Sequence, residues 1–208
     1  VAPGEKPEVY IGFTAAMYGS DADHDIHSLY LDDAYNPIDT SVFSYVEETD
    51  DRIETVIPVA YDSFDDAQDN AHIVLSGAQN PNGGSVNVND SSLDGGRIKL
   101  TSLPGTAVGA AYFDKKLTLG ADRAFSTHFS FQISPDNETF ADGFVFMLKN
   151  DSNTIGDLRA EFGAPSYGWD IADHRNFGVE FDTYSNDPGS PWNEPDSDHV
   201  GVDMSGGY

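Results

Sequence analysis

The chain has 208 residues, with 36 Asp and Glu against 10 Lys and Arg, for a formal net charge of −26. That balance excludes nucleic acid and anionic membranes as partners, since both need a cationic surface, and it favours cations. The chain has no cysteine, which excludes disulfides, thiolate metal sites and a cysteine nucleophile.

Hydrophobic residues make up 38% and aromatics 12%, enough to build a core, so disorder is not expected. No apolar run reaches the roughly 18–20 residues of a membrane span, so no membrane insertion is expected. No basic-then-apolar leader begins at Val1, and the chain reads as a mature, excised or internal piece.

In chain order, Val9–Ala15 and Ser28–Leu31 are candidate strands. Residues 36–56 read as a linker, with an acidic run from Glu47 to Asp51 best taken as a solvated loop. Ile73–Ser76 and Arg97–Thr101 are further strand candidates, separated by turns at Asn80–Gly84 and Leu93–Gly96. Phe125–Ile133 alternates apolar and polar residues, as a half-buried strand does. Phe144–Leu148 is continuously apolar and predicts a strand buried on both faces. Phe177–Tyr184 alternates again, a turn follows at Asp187–Pro191, and Val200–Met204 is the last candidate strand. No stretch longer than about ten residues carries a 3.6-residue apolar period. Many short strands with Gly, Pro and Asn turns predict an all-β antiparallel sandwich.

The chemistry concentrates between Val179 and His199. In a strand Val179 and Phe181 point inward, so Glu180 and Asp182 point outward together, within about 7 Å of each other. Two unpaired carboxylates that close repel, and a cation beside them resolves the repulsion. The following loop holds Asn186, Asp187, Glu194, Asp196, Asp198 and His199. Carboxylate, amide and carbonyl oxygens suit calcium. A mixed carboxylate and imidazole set suits a transition ion such as manganese.

The segment from Val179 to Asn186, followed by Glu194-Pro195 and by His199-Val200-Gly201-Val202-Asp203, resembles the metal-binding loop of the L-type (legume-type) lectins. It departs from the family pattern at Glu194, where the family has Asp; a longer arm shifts the ion, or Asp198 takes part of the role. Leu93–Thr101 and Val108–Leu117 resemble the family's first long strands, and Phe125–Ile133 another of its strands. Ala141-Asp142-Gly143-Phe144 resembles the family segment whose Asp is a main sugar ligand. The resemblance covers residues 57–208 as the main lectin-like body.

Residues 1–35 add a second resemblance. Glu8–Ala16 and His24–Leu31 are similar to the strands that end the family's domain, yet here they open the chain. Three arrangements account for this: a circularly permuted domain, a chain spanning two tandem modules, or part of a longer chain. The reading leans to a permuted or swapped arrangement, because a tandem excerpt leaves raw sheet edges. In a permuted domain the loop Met17–Asp23 comes to lie beside Asp142 and Asn186.

The resemblance implies a concanavalin A-like jelly-roll sandwich and calcium-dependent carbohydrate binding, without catalysis. It implies an adhesion module of a bacterial extracellular protein, secreted or at the cell surface, with glycans as partners and self-association or tandem neighbours as further ones. For calcium it implies Asp182, the Tyr184 carbonyl, Asn186 and an acid from Glu194 to Asp198. For a second divalent ion, with Mn2+ as the candidate, it implies Glu180, Asp182, Glu194 and His199. For the sugar it implies Asp142, Asn186, a backbone N–H near Gly168, stacking on Tyr184 or Trp192, and the specificity loop that includes Met17, Tyr18 and Gly19. It also implies a cis peptide between Ala141 and Asp142. The other histidines, His24, His27, His72, His128 and His174, are read as structural or exposed.

Besides a peptide ligand in the same groove, two other functions stay open. One is a calcium-stiffened structural or adhesive module that binds no sugar. The other is a sandwich-fold glycoside hydrolase, which needs a second carboxylate at the position held here by Ser185.

Overall fold

Alternation of apolar and polar residues drives nearly every element into a strand, and the apolar halves of those strands meet in one core. The structure, a computed structural model, describes residues 8–17, 22–32, 59–61, 63–65, 72–76, 87–88, 92–101, 107–119, 125–135, 143–149, 176–184 and 199–204. These hold β1 (Glu8–Met17), β2 (Ala22–Asp32), β3 (Val59–Tyr61), β4 (Ile73–Ser76), β5 (Asn87–Val88), β6 (Ser92–Asp94) and β7 (Arg97–Thr101). They continue with β8 (Ala107–Phe113), β9 (Leu117–Thr118), β10 (Ser126–Pro135), β11 (Gly143–Lys149), β12 (Asn176–Asp182) and β13 (His199–Met204).

The strands form two sheets. The larger runs β13-β12-β11-β1-β8-β4, with β5 beside β8 and β9 beside β1; the smaller runs β10-β2-β7-β6, with β3 beside β2. Pairing is antiparallel throughout the two main paths. Among the described strands, only β5 pairs in parallel, with β8.

Both sheets feed one core. Ile11, Phe13 and Ala15 of β1 and Phe144, Phe146 and Leu148 of β11 meet Ile26, Leu29 and Leu31 of β2 and Ile98 and Leu100 of β7. Phe13 and Phe129 contact edge to face across the sandwich, with ring centres 5.1 Å apart. Phe144 and Phe181, directly opposed on β11 and β12, stack at 4.7 Å. Every residue of β11 is buried, as its uninterrupted apolar run predicted.

The expected antiparallel sandwich is therefore present. β4 and β7 have the predicted bounds, and β10, β12 and β13 lie within a residue or two of theirs. Two expectations need correction. The likeness of Leu93–Thr101 to a long family strand gives way to the turn expected at Leu93–Gly96: Gly95 and Gly96, with φ of 58° and 77°, fold the segment into the β6–β7 hairpin. Val108–Leu117 also breaks, at Asp114–Lys116, into β8 and β9.

The position of the first two strands organises the molecule. β1 lies in the middle of the larger sheet, between β11 and β8, and β2 lies between β10 and β7 in the smaller one. The chain thus passes from one sheet to the other between Met17 and Ala22.

Candidate functional site

The register of the larger sheet lines up one row of residues across five strands. Val108 opposes Ala16, Ala16 opposes Gly143, Gly143 opposes Asp182, and Asp182 opposes His199. At this row β1 is one residue from its end, β11 begins, β12 ends and β13 begins. Gly143 is bonded to Asp142 and Asp182 leads to Tyr184, so three segments read as sugar or metal ligands converge on one edge.

Gly143 is the tight point of that row. Its φ is 134°, a value that L side chains rarely adopt, and a Cβ there would collide with the Phe181 carbonyl oxygen. Glycine lets β11 start against β12 at the residue after Asp142.

Alternation puts Glu180 and Asp182 on one face of β12, opposite Gly201 and His199 of β13. The His199 Nε2–H donates to Glu180 Oε1 across 3.3 Å, with both side chains mostly buried. Asp182 is 2% exposed, and its Oδ1 accepts the Tyr184 backbone N–H at 2.7 Å. A carboxylate holding the N–H two residues on is an Asx turn, and it fixes how the chain leaves β12.

Val179 and Phe181 pack against the core, so Glu180 and Asp182 point away from it as expected, yet the face that carries them is largely covered. Thr14, Tyr112, Val145, Met147 and Lys149 share it and are all buried. The Tyr112 hydroxyl donates to the Met147 sulfur at 3.4 Å, and Lys149 Nζ lies 5.7 Å from the Tyr112 ring centre. Burial alone pushes the Tyr112 phenol far above its ordinary range. In such surroundings a carboxylate interacts with a cation more strongly than it would in water.

Of the predicted site residues, the structure therefore brings together Glu180, Asp182, the start of the Tyr184 turn and His199, and ends β1 at Met17, with β11 between it and β12. Met17 pairs through its backbone with Ala107. Tyr184 is 47% exposed. Asp142, Tyr18, Gly19, Gly168, Asn186, Trp192, Glu194 and Asp198 lie outside the described residues, as does the Ala141–Asp142 peptide. Among the described residues, no group of three His, Asp or Glu side chains meets at a metal-sized point. The oxygen and imidazole donors of Glu180, Asp182 and His199 nevertheless fit the donor set of a hard or borderline divalent ion.

Sequence reasoning missed the glycines of this site. Gly201 sits opposite Glu180, and a Cβ on it would run into the Glu180 carboxylate. A glycine between the β-branched Val200 and Val202 was the available signal, since glycine inside a strand marks a close approach. The remaining described histidines follow expectation: His24 is buried, and His72 pairs with Asp114 at 3.1 Å in a partly exposed position.

Comparison with known proteins gives this geometry a family. Residues 59–207 match the family described as "Legume lectin domain". A protein of Arabidopsis thaliana named as an L-type lectin-domain containing receptor kinase is 30% identical over 55% of this chain and 18% of its own length. A "Galactose-binding lectin" of Arachis hypogaea is 32% identical over 54% of this chain and 43% of its own length. A "Lectin" of Erythrina corallodendron is 32% identical over 43% of this chain and 31% of its own length. The chain thus spans less than half the length of each of these relatives. The family match covers most of the chain, including the row from Gly143 to His199, and the chain belongs to the legume lectin domain family.

Proposed function

We propose that this chain is a divalent-cation-dependent carbohydrate-binding module. Family membership supports carbohydrate binding. The observation that carries the fuller reading is the row Ala16–Gly143–Asp182–His199, because it ends four strands of the larger sheet at one edge.

Calcium would be held by Asp182, the Tyr184 carbonyl, Asn186 and an acid between Glu194 and Asp198. A second divalent ion, Mn2+ being the candidate, would be held by Glu180, Asp182, Glu194 and His199. Bound ions supply fixed positive charge that orders the loop after β12 before the ligand arrives, so less ordering entropy is lost on binding. Asp142 accepts hydrogen bonds from sugar hydroxyls, strengthened by its charge. The Asn186 amide N–H and a backbone N–H near Gly168 donate to others. Tyr184 offers its ring to the apolar face of a pyranose. The segment leaving β1 at Met17, with Tyr18 and Gly19, walls the same site and sets its specificity.

In this reading β1 and β2 belong to the same module as residues 59–207, in a permuted or swapped strand order. Their central places in the two sheets support it. The module works by binding rather than catalysis, since Ser185 stands where a retaining hydrolase needs its second carboxylate. An acidic adhesion module facing a saline, extracellular medium fits the charge of −26.

The test is a glycan array run with calcium and again in excess chelator. Binding that depends on calcium and is abolished by Asp142→Asn is the expected result. Undiminished binding in chelator overturns the metal-supported mechanism. A metal-loaded chain that binds no glycan is instead a calcium-stiffened structural module.

A further inference from the structure

Gly201 has no backbone reason to be glycine. It lies inside strand β13, paired with Glu180, and its φ is not in the left-handed region. Glycine weakens a strand interior, and its neighbours Val200 and Val202 are strong strand formers. What glycine provides here is space. An ideal Cβ at 201 overlaps Glu180 Oε1 and comes within 3.0 Å of Glu180 Cγ and Cδ.

Of the other three close glycines, Gly96 would also strike a carboxylate, that of Asp65, but its φ of 77° already calls for glycine; Gly12 and Gly143 differ in what they would strike. A Cβ at Gly143 meets the backbone oxygen of Phe181, and one at Gly12 meets the backbone oxygen of Ala111 and the Tyr112 ring. Neither obstacle can move aside. At Gly201 the nearest obstacle is the flexible Glu180 side chain from Cγ outward, with the carboxylate oxygen closest. Substitution there leaves the backbone alone and displaces one functional group.

That group is the one whose position matters. Glu180 lies across β13 over Gly201, and from there Oε1 reaches His199 Nε2 at 3.3 Å. His199 stands two residues away on the same strand, on the same face. An upright Glu180, pushed off by a Cβ, no longer reaches across to it.

The geometry points to Gly201 as the positioning residue of the second-ion site: its missing side chain is the seat on which Glu180 lies to present its carboxylate next to His199. The ion itself rests on the reading given under the proposed function; the placement of Glu180 over Gly201 does not.

The test compares the wild-type chain with Gly201→Ala, Glu180→Ala and the double variant. Metal-stripped proteins are first examined by the side-chain 15N shifts of His199. Loss of the Glu180 contact gives Glu180→Ala a distinct ring spectrum, and Gly201→Ala is expected to match it while remaining folded. A Gly201→Ala spectrum like the wild type overturns the proposal. Each protein is then titrated with Mn2+ by calorimetry, where Gly201→Ala is expected to lose about tenfold to a hundredfold in affinity, the usual effect of disturbing a residue that orients a ligand. Equal affinity in wild type and Gly201→Ala also overturns it. A wild type that binds no Mn2+ defeats the ion reading, and the ring shifts still decide the role of Gly201. Should Gly201→Ala not fold, the double variant decides: folding restored by Glu180→Ala supports the seat, and failure of both shows that the backbone requires the glycine.

Discussion

Ala16 faces Gly143 directly across the antiparallel pair of β1 and β11. One residue comes from a strand that precedes the family match, and the other from the heart of that match. The pairing carries on for seven residues, up to Tyr10 opposite Lys149, while the other side of β1 pairs with β8. β2 is held in the same way between β10 and β7. The first two strands are thus the middle of both sheets. Deleting residues 1–35 is predicted to leave β8, β11, β7 and β10 with unpaired edges and an opened core. The shortened chain should show no cooperative thermal transition by circular dichroism. A sharp transition close to that of the full chain would mean that residues 59–208 fold alone and that β1 and β2 belong to a neighbouring module.

Gly143 fixes where β11 begins against β12. Its φ of 134° and the Phe181 carbonyl oxygen both exclude a side chain. Gly143→Ala is predicted to cost at least about 2 kcal/mol, from backbone strain and the displaced strand. Urea denaturation measures this as a lower midpoint with an unchanged slope. A loss below about 0.5 kcal/mol would show that the β11–β12 approach is not fixed at this residue.

The parts of this fold that sequence alone revealed are those where one strand carries its own pattern. Phe144–Leu148 is apolar throughout and is buried throughout; Phe125–Ile133 alternates and is half-buried. The apolar pattern alone marks only Ser28–Leu31 of β2, and the family resemblance extends it to His24, because Asp23, His24 and Asp25 look unlike a strand interior. They are accommodated by partners on β7: Lys99 bonds Asp23 and Arg97 bonds Asp25, each at 3.2 Å, and Thr101 takes His24. Such partners come from residues more than seventy positions away, and no local period announces them. The candidate site divides similarly. Spacing alone placed Glu180 and Asp182 on one face, and the motif brought in His199. That the face is buried, and that Gly201 makes room on it, follows only from how neighbouring strands pack.

Two valines and a phenylalanine separate core packing from surface display. Phe144 is buried and stacks on Phe181, whereas Val200 and Val202 on the edge strand β13 are each 64% exposed. Phe144→Ala is predicted to cost about 3–5 kcal/mol, the usual effect of emptying a buried aromatic site. Val202→Thr is predicted to stay within about 0.5 kcal/mol, because little apolar surface changes its surroundings. Chemical denaturation of both variants checks the contrast. A loss at Val202 comparable to that at Phe144 would mean that β13 is covered in solution.

His24 makes the stability of the protein depend on pH. Its Nδ1–H donates to Thr101 Oγ1 at 2.6 Å, and the Thr101 hydroxyl in turn donates to the Ala22 carbonyl at 3.1 Å. That chain leaves Nε2 carrying the lone pair, buried without a hydrogen-bond partner. Burial lowers the His24 pKa from 6.5 to about 4, and the nearby Asp23 charge only partly opposes this. The unfolded chain therefore takes up a proton as pH falls through about 6.5, while the folded chain does not until about 4. Stability due to His24 is fully present above pH 6.5 and is lost progressively down to pH 4, by an amount on the order of 3 kcal/mol. Asp25 works in the opposite direction: burial raises its pKa in the folded state, so folding gains from its protonation as pH falls. The His24 contribution is isolated by His24→Asn, which keeps an N–H for Thr101 and does not titrate. Unfolding free energies of wild type and His24→Asn between pH 4 and 7 are predicted to differ in slope, with the variant the flatter on the acid side. Parallel curves would show that the His24 ring is protonated as readily in the folded chain as in the unfolded one.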